Sequence, residues 1–158
     1  MLRLFFLCFM TALSVSVATA TALPRGCEVT GFGFRQQNLV LNDSGEQAFF
    51  LIQNRSNKQI ELRRLANSDD FMAPQLQSKV DASNWSAFAS DIQNLNFQCF
   101  VVNGDEVLPI SCADVLEVCQ YPRVKFALSN MGNYWVSTNK SQAQVIKDAV
   151  SKGIWLRW

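Results

Sequence analysis

The stretch AFFLIQNRSNKQIELRRL, residues 48–65, decides the fold class. Ala48 to Asn54 gather two phenylalanines, a leucine and an isoleucine, side chains that suit a pleated apolar surface. RSNK then breaks the run with turn-forming residues. Beyond it Ile60 and Leu62 alternate with Glu61 and Arg63, and a period of two belongs to a strand. The two segments are expected to pair as a β-hairpin with one wet face.

Working outward, CEVTGFGF (27–34) alternates loosely around two glycines, as a strand with a bulge or bend does. A short strand is expected around Asn38–Leu41, followed by a turn in NDSG. Residues 66–83 are polar with isolated apolar positions, and Pro74 opposes a continuous helix, so an irregular connection with at most one short strand is expected. NWSAFASD (84–91) fits either a short helix or a strand edge. NFQCFVV (96–102) reads as a strand, with Asn103-Gly104 as the hairpin turn into DEVLPI.

SCADVLEVC (111–119) reads as a short helix, capped by Ser111 with Asp114 in its first turn and ended at Tyr121-Pro122. VKFAL and NYWVST read as strands separated by a turn at MGN. The last segment is the clearest helix: Ser141 and Gln144 form a capping box, Val145, Ile146, Ala149 and Val150 form an apolar face, and Gly153 occupies the C-cap region. IWLRW closes the chain. Short strands separated by turns imply a mostly β protein, an antiparallel β-sandwich or partly closed barrel with short helices, one near the C-terminus.

The first residues, MLRLFFLCFMTALSVSVATATALP, combine Arg3, an apolar run and small residues, the pattern of a secretory signal peptide cleaved after Ala20 or Ala22. Thr11, Ser14 and Ser16 interrupt the run too early for a membrane anchor. The expected organisation is a signal peptide over 1–22 and a single disulfide-stapled β-rich domain over 23–158, periplasmic or secreted. Without Arg3 the 14 basic residues become 13 against 13 acidic ones, so a nucleic-acid partner is not indicated.

Cys8 leaves with the signal peptide, and Cys27, Cys99, Cys112 and Cys119 remain. An even count in an exported chain points to two structural disulfides. The alternatives are weaker, since no C-x-x-C motif is present and the four positions do not form the two close pairs of a zinc site. If 112–119 is helical, its ends lie roughly 10 Å apart, beyond the reach of about 7 Å for a disulfide. Cys112 and Cys119 should then not join each other, and Cys27 should take one of them and Cys99 the other.

The chain contains no histidine, which removes histidine general bases and Ser/His/Asp or Cys/His nucleophilic sites. Asp69-Asp70 reads as a solvated loop, and Asp114 with Glu117 as two acids on the wet face of the expected helix. No catalytic residue, metal ligand or cofactor is assigned. Four N-x-S matches begin at Asn42, Asn54, Asn84 and Asn139, and they do not discriminate function. Phe50, Phe97, Phe100 and Tyr134-Trp135 are assigned to the core. Trp85, Trp155 and Trp158 are candidates for an interaction surface, because exposed tryptophan tends to mark recognition.

CEVTGFGF, FFLIQNRSNKQIEL, NWSAFA, LPISCADVLEVCQYPRVKF and GNYWVSTNKSQAQVIKDAVSKGIWLRW together resemble the enhanced-entry protein EnhB group, small exported proteins of intracellular bacterial pathogens. Cys99, Cys112 and Cys119 match the group's cysteine positions, as does Asn84-Trp85-Ser86. The group's Gly-Trp segment is replaced here by MAPQLQSKV. The resemblance implies an envelope or secreted protein associated with host-cell entry, and it defines no active or binding residue to carry over. The expected function is therefore a non-enzymatic structural or protein-interaction factor with an envelope or host protein as partner. The alternative is a small glycan- or peptide-binding module using exposed tryptophans.

Overall fold

The structure, a computed structural model, describes residues 23–65, 76–127 and 134–157. The expected signal peptide, Asp69-Asp70, the MGN turn and Trp158 lie outside the described residues. Two antiparallel sheets pack face to face. One holds β1 (Phe32–Arg35), β2 (Asn38–Leu41), β7 (Leu95–Asn103), β4 (Gln59–Arg64) and β5 (Gln77–Val80) in that order, with β8 (Glu106–Ile110) also on β7. The second runs β11 (Tyr134–Lys140), β6 (Trp85–Ser90), β3 (Ala48–Asn54) and β9 (Leu116–Tyr121). A two-stranded ribbon of β10 (Val124–Lys125) and β12 (Trp155–Leu156) and the helix α2 (Gln142–Ser151) complete the second side.

The strand β3 explains the layering. Every one of its side chains is buried. Ala48, Phe50 and Ile52 face the other sheet and meet Leu39, Leu41, Ile60, Leu62, Phe88 and Phe97. Phe49 and Leu51 point the other way, into a second core with Trp85, Tyr121, Trp135, Val145, Ala149 and Ile154. A strand covered on both faces needs no polar alternation, and AFFLIQN has none. The expected hairpin with one wet face is thus corrected: β3 pairs with β6 and β9, whereas β4 pairs with β5 and β7. Residues 55–58 carry the chain from one sheet to the other, so β3 and β4 face each other through side chains.

Strand β4 does alternate. Ile60 and Leu62 enter the core, while on the outer face Arg63 Nε donates to Glu61 Oε1 at 2.6 Å and its guanidinium lies 4.3 Å from the centre of the Phe100 ring. Strand β7 is long enough to divide one of its edges between two partners, β2 at Leu95–Phe97 and β8 at Cys99–Asn103. Residue pairing closes Asn103 on Glu106, so the turn residues are Gly104-Asp105, one position later than expected, with Gly104 supplying the positive φ of 63°.

SCADVLEVC is not one helix. The helix α1 covers only Cys112–Val115, and Leu116 begins β9. Ser111 makes no side-chain cap, and its carbonyl instead accepts from the Asp114 amide at 3.2 Å. The disulfides are Cys27–Cys119 and Cys99–Cys112. Cys112 and Cys119 remain unjoined as expected, but for a different reason: Leu116 and Val118 face the first core and Cys119 the second, so the two sulfurs belong to opposite faces of one sheet. The Ser111-Cys112 turn also rests against the β1–β2 turn, the Cys112 amide donating to the Gln37 carbonyl at 2.8 Å.

Helix α2 follows its sequence closely. Ser141 Oγ accepts from the Gln144 amide, although the Gln144 side chain turns to Asp148 and does not complete the capping box. At the other end Gly153, at φ 78°, donates to Val150 O, and Ile154 donates to Ala149 O. This is the Schellman arrangement, with Ile154 and Ala149 sharing the second core. Val150, expected on the apolar face, is half exposed.

Candidate functional site

The residues proposed from sequence separate once placed. Trp85 is 5% exposed and packs in the core between the second sheet and α2, which removes it from the interaction surface. Its position on β6 opposite Gln53 of the doubly covered β3 is the reason. Trp155, by contrast, is 67% exposed. Phe50, Phe97 and Trp135 are core residues as expected, with Trp135 stacked on Phe49, whereas Phe100 lies half-buried under Arg63 on the outer face.

The ribbon places Trp155 in charged company. In β10 and β12, Val124 pairs with Leu156 and Lys125 with Trp155, and the Arg157 amide donates to the Arg123 carbonyl at 3.0 Å. Val124 and Leu156 pack inward on the second core. Alternation along both strands therefore turns Arg123, Lys125, Trp155 and Arg157 to the outer face, where all four are exposed. Both strings, Arg-Val-Lys and Trp-Leu-Arg, carry the period-two signal. Strands of two residues are too short for that signal to mark a surface.

Beside this face a cavity of about 390 Å³ is lined by Gly26, Glu28, Pro122, Arg123 and Arg157. Glu28 is held there by backbone. Its amide donates to Gln120 O at 2.8 Å and its carbonyl accepts from Gln120 N at 2.7 Å, next to the Cys27–Cys119 bond. Neither Glu28, Arg123 nor Arg157 forms an ion pair within 4 Å with a described residue. An adjoining cavity of about 410 Å³, lined by Pro24, Arg25, Tyr121, Gln142 and Ile146, lies under the same N-terminal segment.

Most other polar side chains satisfy one another. Asp148 accepts from Lys140 Nζ at 2.6 Å, Ser137 Oγ at 2.7 Å and Gln144 Nε2 at 2.8 Å, and these donors, Lys140 foremost, hold its carboxyl down at about 2. Asp81 is held below the usual carboxylate range by Gln59 and Asn139. At the corner where β5 meets β11, Thr138 Oγ1 lies 2.6 Å from both Ser78 Oγ and Ser86 Oγ. Glu117 is on β9 and reaches Arg55 at 3.7 Å, so it does not share a helix face with Asp114. All four cysteines described are disulfide-bonded, which leaves no thiolate for a redox or zinc role, and no group of three metal-ligating residues occurs among the described residues.

The N-x-S matches are turn devices. Asn42 Nδ2 donates to Glu46 O while its Oδ1 accepts from Ser44 Oγ and the Gly45 amide. Asn54 repeats this at the end of β3: Nδ2 donates to Lys58 O and Val80 O, and Oδ1 accepts from the Ser56 amide and hydroxyl. Asn84 donates to Asn139 Oδ1, and Asn139 donates to Asp81. Every one of the four amide groups is therefore an internal donor. The serine two residues on recurs in the first pair because its hydroxyl completes the turn.

The exposed strand β8 is a second surface to consider, since Val107 and Leu108 are both solvent-facing. Its pairing to β7 sets which backbone groups face outward. With Asn103–Glu106 the hydrogen-bonded pair beside the turn, Val107 and Pro109 are the residues aimed away from β7. Pro109 has no N–H to offer a further strand, so the edge is blunted where it would otherwise invite pairing. Among the described residues no helix is long and apolar enough to cross a membrane. No protein-family model, curated protein or solved structure matches the chain.

Proposed function

We propose that this chain is an exported, non-enzymatic recognition factor of the bacterial envelope or exterior, contributing to host-cell entry. The observation that carries the reading is the outer face of the ribbon, where Trp155 stands among Arg123, Lys125 and Arg157 with no described acidic partner for any of them. The signal-like N-terminus and two disulfides support export, since disulfides persist in oxidising compartments. The resemblance to the enhanced-entry group supports the host-directed role. A partner is recognised through a fixed surface, the disulfide Cys27–Cys119 and the second core holding the ribbon in place.

Immobilised mature protein should retain a specific envelope or host-surface component, and the double variant Trp155→Ala/Arg157→Ala should lose it. Retention of nothing specific by the wild type, or equal retention by the variant, sinks this reading. The second reading, a small glycan- or peptide-binding module, is favoured by the cavity lined by Glu28, Arg123 and Arg157, which is of the size of a single small unit.

A further inference from the structure

We infer that the ribbon face and its cavity form a binding site for a carboxylated sugar unit, with Trp155 as the stacking platform, Arg123 and Arg157 as the carboxylate clamp and Glu28 as the hydroxyl acceptor. The inference deepens the recognition reading above and rests on it.

The first argument is a placement that stability alone opposes. Arg123 and Arg157 stand directly opposite each other across the ribbon, and like charges in that relation are destabilising. Their side chains leave from the same face about 5 Å apart, close enough for two guanidinium forks to hold one carboxylate. The mature chain has balanced charge, so this is a local concentration and not a consequence of general basicity.

The second argument is the position of the ring. Trp155 lies two residues from Arg157 along the same extended strand, roughly 7 Å away, a span that one pyranose ring and its carboxylate cover. The indole is 67% exposed and therefore presents a face for the apolar C–H surface of a sugar.

Glu28 decides between ligand classes. It lines the cavity with both arginines and makes no ion pair with them, so its carboxylate is an available acceptor. Sugar hydroxyls can donate to it. All three anions meet the charge of Glu28, and only the sugar offsets it, because its ring hydroxyls donate to that carboxylate, whereas the side chains of an acidic peptide bring only further carboxylates and a phosphodiester carries no hydroxyl. The combination of donor pair, acceptor and ring matches an acidic sugar and neither of the others.

The test uses the mature, oxidised protein and follows the Arg157 backbone amide, which every variant below retains, by two-dimensional NMR while trigalacturonate is added. Saturable binding should perturb that resonance, and the methyl ester of the same trisaccharide should bind at least about tenfold more weakly, the loss expected for one charge-assisted contact. Trp155→Ala and Arg157→Ala should each weaken trigalacturonate by a similar factor with the melting temperature not lowered, and Trp155→Phe should restore part of the affinity. Hexaglutamate should bind no better than the ester. The inference is overturned by absence of binding at millimolar trigalacturonate, by equal affinity for the ester, or by hexaglutamate binding that is indifferent to Trp155→Ala. Failure here with continued Trp155-dependent capture of a surface component overturns the sugar alone, whereas loss of both overturns the recognition reading.

Discussion

Asn54 shows how much one side chain can decide. It is fully buried at the end of β3, its amide bridges Lys58 O and Val80 O, and its oxygen orders Ser56. It thereby fixes the crossing from one sheet to the other and ties β5 to that crossing. Asn54→Ala leaves several buried groups without partners and should cost about 3 kcal/mol, read by urea unfolding. Ser56→Ala, which removes only the hydroxyl contacts, should cost about 1 kcal/mol. Asp148 gives a pH-dependent counterpart. Its carboxyl is held at about 2, below the ordinary 3.8, so as pH falls the unfolded chain takes up this proton first. The stabilisation is full above about pH 4 and is lost as the pH drops towards 2. Thermal melting across that window should fall more steeply for the wild type than for Asp148→Asn, with the two curves converging at the acid end. Of these residue roles the sequence announced the N-x-S pattern but not its meaning, since a turn device and a modification motif are written with the same letters.

At the scale of elements, β8 illustrates a strand whose sequence contains its own safeguard. Val107 and Leu108 are exposed on an edge, and Pro109 occupies an outward position where its missing N–H costs the β7 ladder nothing. Pro109→Val restores a donor to that edge and strengthens β propensity. Size-exclusion chromatography should then show concentration-dependent association that the wild type lacks, and an unchanged monomer profile would refute the blunting argument. The elements also mark how far local signals carried. The strand limits of β2 and β3, the limits of α2 and the Gly153 terminus were legible, because each rests on side chains within a few residues. The division of SCADVLEVC into α1 and β9 was not, since a four-residue helix gives no periodicity and β9 is drawn into register by β3.

For the whole molecule, two disulfides staple two different cores. Cys99–Cys112 closes a separation of 13 residues within the first, and Cys27–Cys119 closes 92 residues and anchors the N-terminal segment on the second. On chain entropy alone their removal costs about 3 and about 4.6 kcal/mol respectively. Cys27→Ala/Cys119→Ala should therefore lower the unfolding midpoint more than Cys99→Ala/Cys112→Ala. It should also release Glu28 from its place beside Arg123, which amide exchange at Glu28 and Gln120 will report.

By itself the sequence determined the mostly β class, the C-terminal helix and two disulfides among Cys27, Cys99, Cys112 and Cys119, whereas its ground for keeping Cys112 from Cys119, a helix over both, did not hold. Those follow from composition, short-range periodicity and counting. Tertiary structure alone decided that β3 lies between two cores, that Trp85 is buried while Trp155 is not, and that Arg123, Lys125 and Arg157 share a face with it. The physical reason is that burial on both faces is a property of what packs against a strand. Residues 28, 123 and 157 become neighbours only when a disulfide and two short strands close distances that no local pattern spans.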